Sequence, residues 1–416
     1  MAPLLYLLLT VISVLTLARL WSTKQYSVQD GFLFGGLYFF LIPSGLTLIL
    51  GPIEAEGLFI APYTGLRLDI ACFVALSMLP LIAFSLIKPV VVHDSYDDLL
   101  RLQAYFVLSM SVAIAVFLFS GKMEGKHWAD ASTTDSPLAN ALAVVLLALR
   151  TYMFALGMIV LKRHKSALFY LVVFAATDIL LTGNRIAALY LAVAVLFSGA
   201  FRMRTMLLAG IVLAAPTALF LSLYPALRGV LWTDFGGLPG LWDAALYVFG
   251  NFDPQAIDAR YVWYFFEAAN LSVFQYIFDT YGHATDLVHG STVLLKPIGL
   301  FIPREIWPDK PEGLGIRLGP EIAGVEGLSL NSLLLGEFWA NFAWGAPVAF
   351  IAMLLLVTLV YRLPWMRRPD IARFGFLLGF ASWRHEFNYF VFATIAGVLV
   401  IALTDPVVNK AMRRVQ

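Results

Sequence analysis

The densest group of chemically useful residues in this sequence is Ile-Pro-Arg-Glu-Ile-Trp-Pro-Asp-Lys-Pro at 302–311. Three prolines in nine residues exclude a helix and favour a stiff, extended turn. That turn carries Arg304, Trp307 and Lys310, and Arg317 follows. An arginine grips phosphate oxygens with a planar two-pronged fork, and a lysine adds a mobile point charge. The segment is therefore either a phosphate-binding turn or a surface loop with solvated charges.

A carboxylate and two amides follow in the segment 329–345. Asn331 precedes Glu337, and Asn341 comes four residues after Glu337. On a helix, residues four apart share one face. At the rim of a membrane cavity this pair could bind sugar hydroxyls or accept a proton. The alternative is a plain helix N-terminal acid that the helix dipole favours.

A short turn near the C-terminus combines a cation, an imidazole and a carboxylate. It contains Arg384, His385 and Glu386, between two apolar runs. His385 beside Glu386 suggests a general base. Adjacent residues on a helix do not face each other, so at most two of the three can point into one cavity.

Two further arginines stand in apolar surroundings. Arg150 lies midway along one apolar run and Asp178 lies in the next. A charge at membrane depth costs up to about 3 kcal/mol on insertion scales, so either the two pair and lock two helices or Arg150 lines a polar cavity. Arg185 follows a Gly-Asn turn and either reaches the interface or faces a phosphate or carboxylate.

Several chemistries find no support in the sequence. His283 and His289 fit no standard zinc spacing, and the single cysteine, Cys72, excludes an internal disulfide and a cysteine cluster. There is no phosphate-binding Walker sequence, no Rossmann glycine pattern and no Gly-x-Ser-x-Gly elbow. A net charge of +1 gives no reason to expect nucleic acid. We therefore predict no metal, nucleotide or other cofactor.

The composition indicates that membrane helices position these residues. The 416 residues are 60% hydrophobic and 13% charged, whereas soluble domains are about half apolar and about a quarter charged. The sequence predicts an all-α integral membrane protein with about 11 spans. These lie near 2–21, 31–51, 68–87, 102–120, 138–161, 167–183, 186–200, 206–224, 338–361, 371–383 and 388–404.

Lysine and arginine in the short connections predict the orientation. One side receives 16 of them, including Arg101, and the other side receives 5. Because cytoplasmic loops carry the excess of positive residues, we place the C-terminus inside and the N-terminus outside. We expect one polytopic domain over 1–416, with residues 225–337 as a long outer loop.

The outer loop is rich in Trp, Tyr and Phe, which disfavours disorder. The stretches Ala259–Tyr276 and Val288–Ile302 have helical character, and we predict amphipathic helices there on the membrane surface. A lipid pyrophosphate would satisfy outward-facing Arg and Lys residues at this leaflet, and aromatic and carboxylate groups suit a glycan. The sequence thus favours glycosyl transfer from a lipid-diphosphate sugar, with cationic stabilisation of the leaving group.

Four segments resemble the bacterial oligosaccharide repeat-unit polymerases of the Wzy type, which have a polytopic plan like that of the GT-C glycosyltransferases. They are LTGNR (181–185), FIPREIWPDKP (301–311), NSLLLGEFWANFAWG (331–345) and WRHEF (383–387). Arg304 to Gly315 also has the Arg-x10-Gly spacing of some members. The family extends a glycan on undecaprenyl diphosphate at the periplasmic face of the inner membrane, without metal or nucleotide.

The resemblance implies roles for individual residues. Pyrophosphate would bind to Arg185, Arg304, Lys310, Arg317 and Arg384. Acceptor activation would fall to Glu337, His385 or Glu386, of which only one need be the base. The glycan or its cavity would contact Arg150, Trp307, Asn331 and Asn341. Partners would be undecaprenyl-diphosphate-linked glycans and membrane lipids, and a chain-length-regulating co-polymerase stays open.

Two other functions stay open at this point. An O-antigen ligase would use the same donor with a lipid A-core acceptor. A lipid-linked oligosaccharide flippase or another transporter would need charges along a path through the whole bilayer. The unusual charges cluster on the predicted outer side, apart from Arg150 and Asp178, which favours chemistry over transport.

Overall fold

The secondary structure of the protein is helical. The computed structural model describes residues 1–23, 26–55, 58–86, 99–119, 137–182, 186–202, 204–205, 208, 227, 240–251, 259–299, 302, 306–325 and 328–415. Within these ranges there is no strand, and extended backbone forms only two isolated bridges, Ile53 with Tyr63 and Tyr281 with Thr285. The prediction of an all-α protein is confirmed for this part of the chain.

We number the described α-helices in chain order. They are α1 (Ala2–Thr23), α2 (Val28–Gly36), α3 (Ile42–Leu50), α4 (Leu68–Leu86), α5 (Leu99–Phe119), α6 (Pro137–Val160), α7 (Ala167–Thr182), α8 (Ile186–Phe197), α9 (Leu241–Gly250), α10 (Ala259–Phe266), α11 (Ala269–Thr280), α12 (Lys296–Gly299), α13 (Leu314–Ala323), α14 (Leu333–Phe342), α15 (Ala346–Tyr361), α16 (Pro369–Ala381) and α17 (Phe387–Val415). A π-helical turn joins α2 to α3, and another, Ser291–Leu295, leads into α12.

Seven segments in the described ranges are long and apolar enough to cross a bilayer, which needs about 20 residues. They are Ala2–Arg19, Val28–Leu50, Leu68–Leu86, Leu99–Phe119, Leu142–Val160, Leu333–Tyr361 and Phe387–Pro406. The chain is therefore a helical membrane protein. The total of eleven spans and the orientation stay predictions.

The other four predicted spans differ from these seven. Apolar helices occupy two of them, at α7 and α8, but they are shorter. Helix α16 has 13 residues and extends about 20 Å at 1.5 Å per residue, less than the roughly 30 Å of a hydrocarbon core. The run 206–224 lies outside the described residues apart from Leu208.

Contacts divide the chain into two compact units. Unit one contains Met1–Val92 and Val262–Thr394, and unit two contains His93–Tyr261 and Ile395–Gln416. Helices α9 to α13 fall in the predicted loop 225–337, which is partly helical as expected. The single polytopic domain and the outer position of that loop stay predictions.

In unit one, glycines bring α2 and α16 into close contact. Gly31 and Gly35 on α2 form a Gly-x-x-x-Gly pair, the spacing that lets membrane helices approach closely, and they meet Gly379 and its neighbours on α16, whereas Gly375 faces Tyr361 on α15. A Cβ added to Gly379 would lie 2.6 Å from the carbonyl oxygen of Val28. This packing fixes the end of α16, and so the turn that carries Arg384, His385 and Glu386.

In unit two, buried ion pairs link membrane helices. Arg150 Nη2 lies 2.8 Å from Oδ1 of Asp178, so of the two alternatives for Arg150 the structure shows the ion pair between α6 and α7. Arg101 Nη2 lies 2.6 Å from Oδ1 of Asp405 and 2.5 Å from the Tyr152 hydroxyl. The charge count treated Arg101 as a loop residue. It is buried instead, because α5 begins at Leu99 rather than at 102.

Candidate functional site

The Glu386 carboxylate joins three segments of unit one. Its Oε2 accepts hydrogen bonds from Lys296 Nζ at 2.8 Å and from Asn388 Nδ2 at 2.6 Å. Its Oε1 accepts the backbone N–H of Gly315 at 2.5 Å. Gly315 lies in the first turn of α13, where a carboxylate is favoured by free N–H groups and by the helix dipole. Ionised acceptors with several donors form strong hydrogen bonds, so Glu386 is held firmly.

One carboxylate thus binds both ends of the segment 296–315, which contains the proline-rich turn. Gly313 permits this closure, because a Cβ there would lie 2.6 Å from Oε2 of Glu386. The backbone of Gly315 is held in addition by the N–H of Leu330, which donates to its carbonyl at 3.0 Å. We call this arrangement the Glu386 clasp.

Within the clasped segment, Trp307 and Lys310 pack beside Gly299. A Cβ added to Gly299 would lie 3.3 Å from Cγ of Lys310 and 3.4 Å from the Trp307 ring. Lys310 Nζ donates to the carbonyl of Ile302 at 3.4 Å. The turn therefore brings an indole and an ammonium together. Arg304, the central cation of the sequence prediction, lies outside the described residues.

Glu337 lies on α14 and is wholly buried, with 0% of its surface exposed. Its Oε2 accepts the backbone N–H of Phe387, the first residue of α17. The sequence placed Glu337 either at the rim of a cavity or at the start of its own helix. The second alternative is wrong, because α14 begins at Leu333 and the carboxylate caps α17 instead. The position at a cavity rim stays a prediction.

Asn341 shares the Glu337 face of α14, as predicted. Its Nδ2 donates to the Glu337 carbonyl at 2.7 Å and to the Thr292 hydroxyl at 2.7 Å. Thr292, Lys296 and Glu386 all lie close enough to act on the Glu337 carboxylate. Two carboxylates, one ammonium, one amide and one hydroxyl therefore meet at the ends of α14 and α17.

At both ends of α14 the backbone has a conformation that residues other than glycine rarely adopt. Leu333, its first residue, has φ +56°. Ala343, just after its end, has φ +47° and ψ −128°, a region that only glycine enters readily. Such strain is maintained by the surrounding packing, and here it fixes the ends of the helix that carries Glu337 and Asn341.

The three polar residues of the 383–387 turn point to three different partners. Arg384 Nε lies 2.6 Å from Oε2 of Glu267, His385 stacks on the Tyr389 ring at 4.1 Å between centroids, and Glu386 forms the clasp. This divergence is consistent with the expectation that at most two of the three residues can point into one cavity. Glu386 is thus the member of this turn whose bonds to the clasped segment the structure describes.

The remaining predicted site residues lie apart or are not described. Arg317 is half-buried on α13 and Asn331 is half-buried before α14. Arg150 lies in unit two, paired with Asp178, and Arg185 lies outside the described residues. His283 and His289 are exposed. Among the described residues, no three His, Cys, Asp or Glu side chains converge on a position that could hold a metal ion.

Near Arg317, the Tyr281 hydroxyl lies 3.2 Å from Oε1 of Glu321. Burial, and then the neighbouring carboxylate, raise the pKa of Tyr281 above its usual range. Tyr281 stays neutral and donates to Glu321, so this pair is a structural contact at the start of the loop before the clasp.

Sequence reasoning missed Lys296, Gly315, Asn388, Thr292 and Glu267. One signal was available: Lys296 interrupts the apolar run Val293–Gly299, and a lone charge in such surroundings needs a partner. Gly315, Asn388 and Thr292 act through backbone groups or short polar side chains, which no spacing pattern distinguishes. Glu267 pairs with Arg384, which lies 117 residues (384 − 267) further along the chain, and the Lys296–Glu386 contact spans 90 residues.

These features define the protein class as a helical membrane protein with a buried polar site where membrane helices end. Comparisons of the chain with family models, with curated proteins and with solved structures give no match.

Proposed function

We propose that this chain is a glycosyltransferase of the bacterial cytoplasmic membrane that polymerises undecaprenyl-diphosphate-linked oligosaccharide repeat units at the periplasmic face. It would release undecaprenyl diphosphate and need neither metal nor nucleotide. The observation that carries the proposal is the Glu386 clasp. It joins both ends of the segment that holds the proline-rich turn to the 383–387 turn, and Glu337 bonds to Phe387, the residue that follows Glu386. The sequence connected these three segments with this chemistry separately.

The charges at the clasp suit a lipid diphosphate at the end of a membrane helix. Lys296 is 18% exposed and its partner Glu386 is 15% exposed, so a phosphate can reach the ammonium from the surface. Lys310 and Trp307 belong to the same clasped segment. Cations beside the departing oxygen stabilise the charge that develops there, which is the main requirement when diphosphate is the leaving group.

The reaction needs one group that accepts a proton, and one bond to the anomeric carbon forms as another breaks. An acceptor sugar hydroxyl attacks the anomeric carbon of the donor, and its proton passes to a carboxylate. The bond between the anomeric carbon and the phosphate oxygen breaks, and the electron pair leaves with the diphosphate. Glu337 and Glu386 are within reach of the same region, and both are carboxylates suited to accept the proton.

Reconstitution of the purified protein with lipid-diphosphate repeat units, without nucleotide and with chelator, tests the proposal. We expect longer glycans and released undecaprenyl diphosphate. Arg304→Ala should lower the rate at least 100-fold, as loss of a leaving-group cation does, and Arg304→Lys should recover part of it. Arg362→Ala, at an exposed position after α15, is the matched control and should keep the wild-type rate. No chain growth with the cognate unit would overturn the proposal.

A second candidate, proton-coupled transport of a lipid-linked glycan, is favoured by one observation. Glu337 is wholly buried in a membrane segment, a position typical of proton-carrying acids in transporters. The same vesicles distinguish the two functions. Transport moves labelled glycolipid between leaflets without changing glycan length, whereas transfer lengthens the glycan. A ligase would instead attach the glycan to added lipid A-core and would not extend the repeat unit.

A further inference from the structure

Two buried oxygen atoms on one face of α14 have no hydrogen-bond donor among the described residues. They are Glu337 Oε1 and Asn341 Oδ1, and the two side chains are 0% and 2% exposed. The two residues are one helical turn apart and share a face. Leaving a buried acceptor without a donor costs about 1–3 kcal/mol, so a ligand that donates hydrogen bonds to these two oxygens would be stabilised on this face.

The orientation of the Asn341 amide is fixed by its contacts. Its Nδ2 donates to two acceptors, the Glu337 carbonyl and the Thr292 hydroxyl, each at 2.7 Å. Rotating the amide by 180° would place its oxygen against the Glu337 carbonyl, which can only accept, so the nitrogen faces that carbonyl and Oδ1 is the atom left without a donor. Thr292 also lies close enough to Glu337 to donate to its carboxylate. A hydroxyl has a single hydrogen, so Thr292 can satisfy one of the two oxygens at most.

Other groups at the site are already engaged. Glu386 accepts three hydrogen bonds, from Lys296, Asn388 and the Gly315 N–H. His385 stacks on Tyr389. Glu337 uses one oxygen to cap α17 through Phe387 and keeps the other. Of the two carboxylates among the candidates for the base, Glu386 has donors on both oxygens, whereas Glu337 Oε1 has no hydrogen bond to the described residues.

We infer that the Glu337–Asn341 face is the acceptor subsite, and that it binds two neighbouring hydroxyls of the acceptor sugar. This inference rests on the proposed function. The attacking hydroxyl donates its proton to Glu337 Oε1 as its oxygen bonds to the anomeric carbon of the donor, and the diphosphate leaves with the electron pair. The second hydroxyl donates to Asn341 Oδ1 and orients the sugar. Glu337 is the catalytic residue, and Asn341 and Thr292 are positioning residues.

The acceptor can reach Glu337 only after a local change of conformation, because the Glu337 side chain is wholly buried in this structure. The Lys296–Glu386 pair lies beside it and is partly exposed. An arriving diphosphate competes with Glu386 for the Lys296 ammonium. Donor binding would thereby loosen the clasp next to Glu337 and admit the acceptor, which makes an ordered reaction, donor first, the expected kinetic pattern.

Kinetics of the reconstituted protein with varied acceptor test this subsite. Glu337→Gln keeps an oxygen for the Phe387 N–H, so the α17 cap is retained. It should lower kcat by about 10²- to 10⁴-fold, the usual contribution of a general base, with the KM for acceptor changed less than threefold. Asn341→Leu should raise that KM about tenfold with a smaller change in kcat. Glu321→Gln, at the exposed carboxylate beside Tyr281, is the matched control and should behave as wild type.

An acceptor lacking the second hydroxyl provides an independent measurement. With the wild-type protein its KM should rise about as much as Asn341→Leu raises it, and in Asn341→Leu it should cause no further rise. Equal KM values for the two acceptors in the wild-type protein would overturn the two-hydroxyl subsite. Glu337→Gln with more than a tenth of the wild-type kcat would overturn the base assignment.

Carbodiimide labelling of Glu337 gives a result even if a variant does not fold. In the wild-type protein, mass spectrometry should find Glu337 modified more with donor alone than without substrate, and acceptor added with donor should protect it. Labelling unaffected by both substrates would count against the subsite, as would protection by sodium ions alone, which would indicate a cation at these oxygens. An inactive wild-type protein is a different outcome, because it rejects the proposed function rather than the choice of Glu337.

Discussion

The Nζ atom of Lys296 lies 2.8 Å from Oε2 of Glu386, although 90 residues separate the two in the chain. The pair closes the segment 296–315 against the start of α17. Because Gly315 binds the other oxygen of the same carboxylate, the position of the proline-rich turn depends on one side chain. Several consequences of this architecture can be measured.

Replacing one member of the Lys296–Glu386 pair should lower stability more than replacing both. Glu386→Gln leaves a partly buried ammonium without its counter-charge, and we expect a loss of about 1–3 kcal/mol. Lys296→Met combined with Glu386→Gln should lose less than the sum of the single changes. Thermal unfolding in detergent of the two single variants and the double variant measures the coupling. Additive effects would contradict a direct interaction.

Glycine packing between α2 and α16 should be sensitive to a single methyl group. A Cβ at Gly31 would overlap the Phe376 carbonyl, so Gly31→Ala should destabilise by about 1–3 kcal/mol through overpacking. Gly45→Ala on α3 is the matched control, since nothing lies within 4 Å of its Cβ position. It should be neutral or stabilising, because alanine is the better helix former. Thermal midpoints that rank the two variants the other way would refute the close approach.

Relief of strain after α14 should stabilise the protein. Ala343 has φ +47° and ψ −128°, which glycine adopts without penalty, so Ala343→Gly should gain about 1 kcal/mol. The matched reverse change is Gly345→Ala. Gly345 has φ −75° and ψ −11°, ordinary values for alanine, and the change should be neutral or slightly stabilising. Chemical denaturation in mild detergent compares them, and a loss of stability in Ala343→Gly would argue against strain at this residue.

Alkaline pH should unfold the protein partly through Tyr63. Burial raises the pKa of Tyr63 from 10.0 to about 12, so the folded state holds this proton more tightly than the unfolded state. The resulting stability is fully present below pH 10, and it declines as pH rises from about 10 towards 12. Two pKa units correspond to about 2–3 kcal/mol.

Tyr63→Phe isolates this contribution. The variant loses the hydrogen bonds of Tyr63 with Ser44 and Tyr6, at 3.0 Å and 3.1 Å, and should be less stable at neutral pH. Its thermal midpoint should nevertheless fall less steeply above pH 10 than that of the wild-type protein. Tyr247→Phe, at an exposed ring on α9, is the control, and its pH profile should follow the wild type. Parallel profiles for all three proteins would contradict the role of Tyr63.

Local patterns predicted some relationships correctly. The i,i+4 spacing placed Asn341 on the face of Glu337, and in unit two the pairing of Arg150 with Asp178 was one of the two alternatives that the sequence left open. The spacing of charges could not show that Glu337 caps α17, since that depends on where α14 meets a helix that begins 50 residues later.

The sequence by itself determined that this is a helical membrane protein, because long apolar runs have no other stable form in a bilayer. It also determined which charged residues stand out, since charge in such a chain is scarce. Only the tertiary structure decided that Lys296, Gly315 and Asn388 converge on Glu386, and that Glu337 is buried beside them. The physical reason is that hydrogen bonds and ion pairs act over about 3 Å, and folding alone brings Lys296 and Gly315 within that distance of Glu386, and Glu337 to the N–H of Phe387.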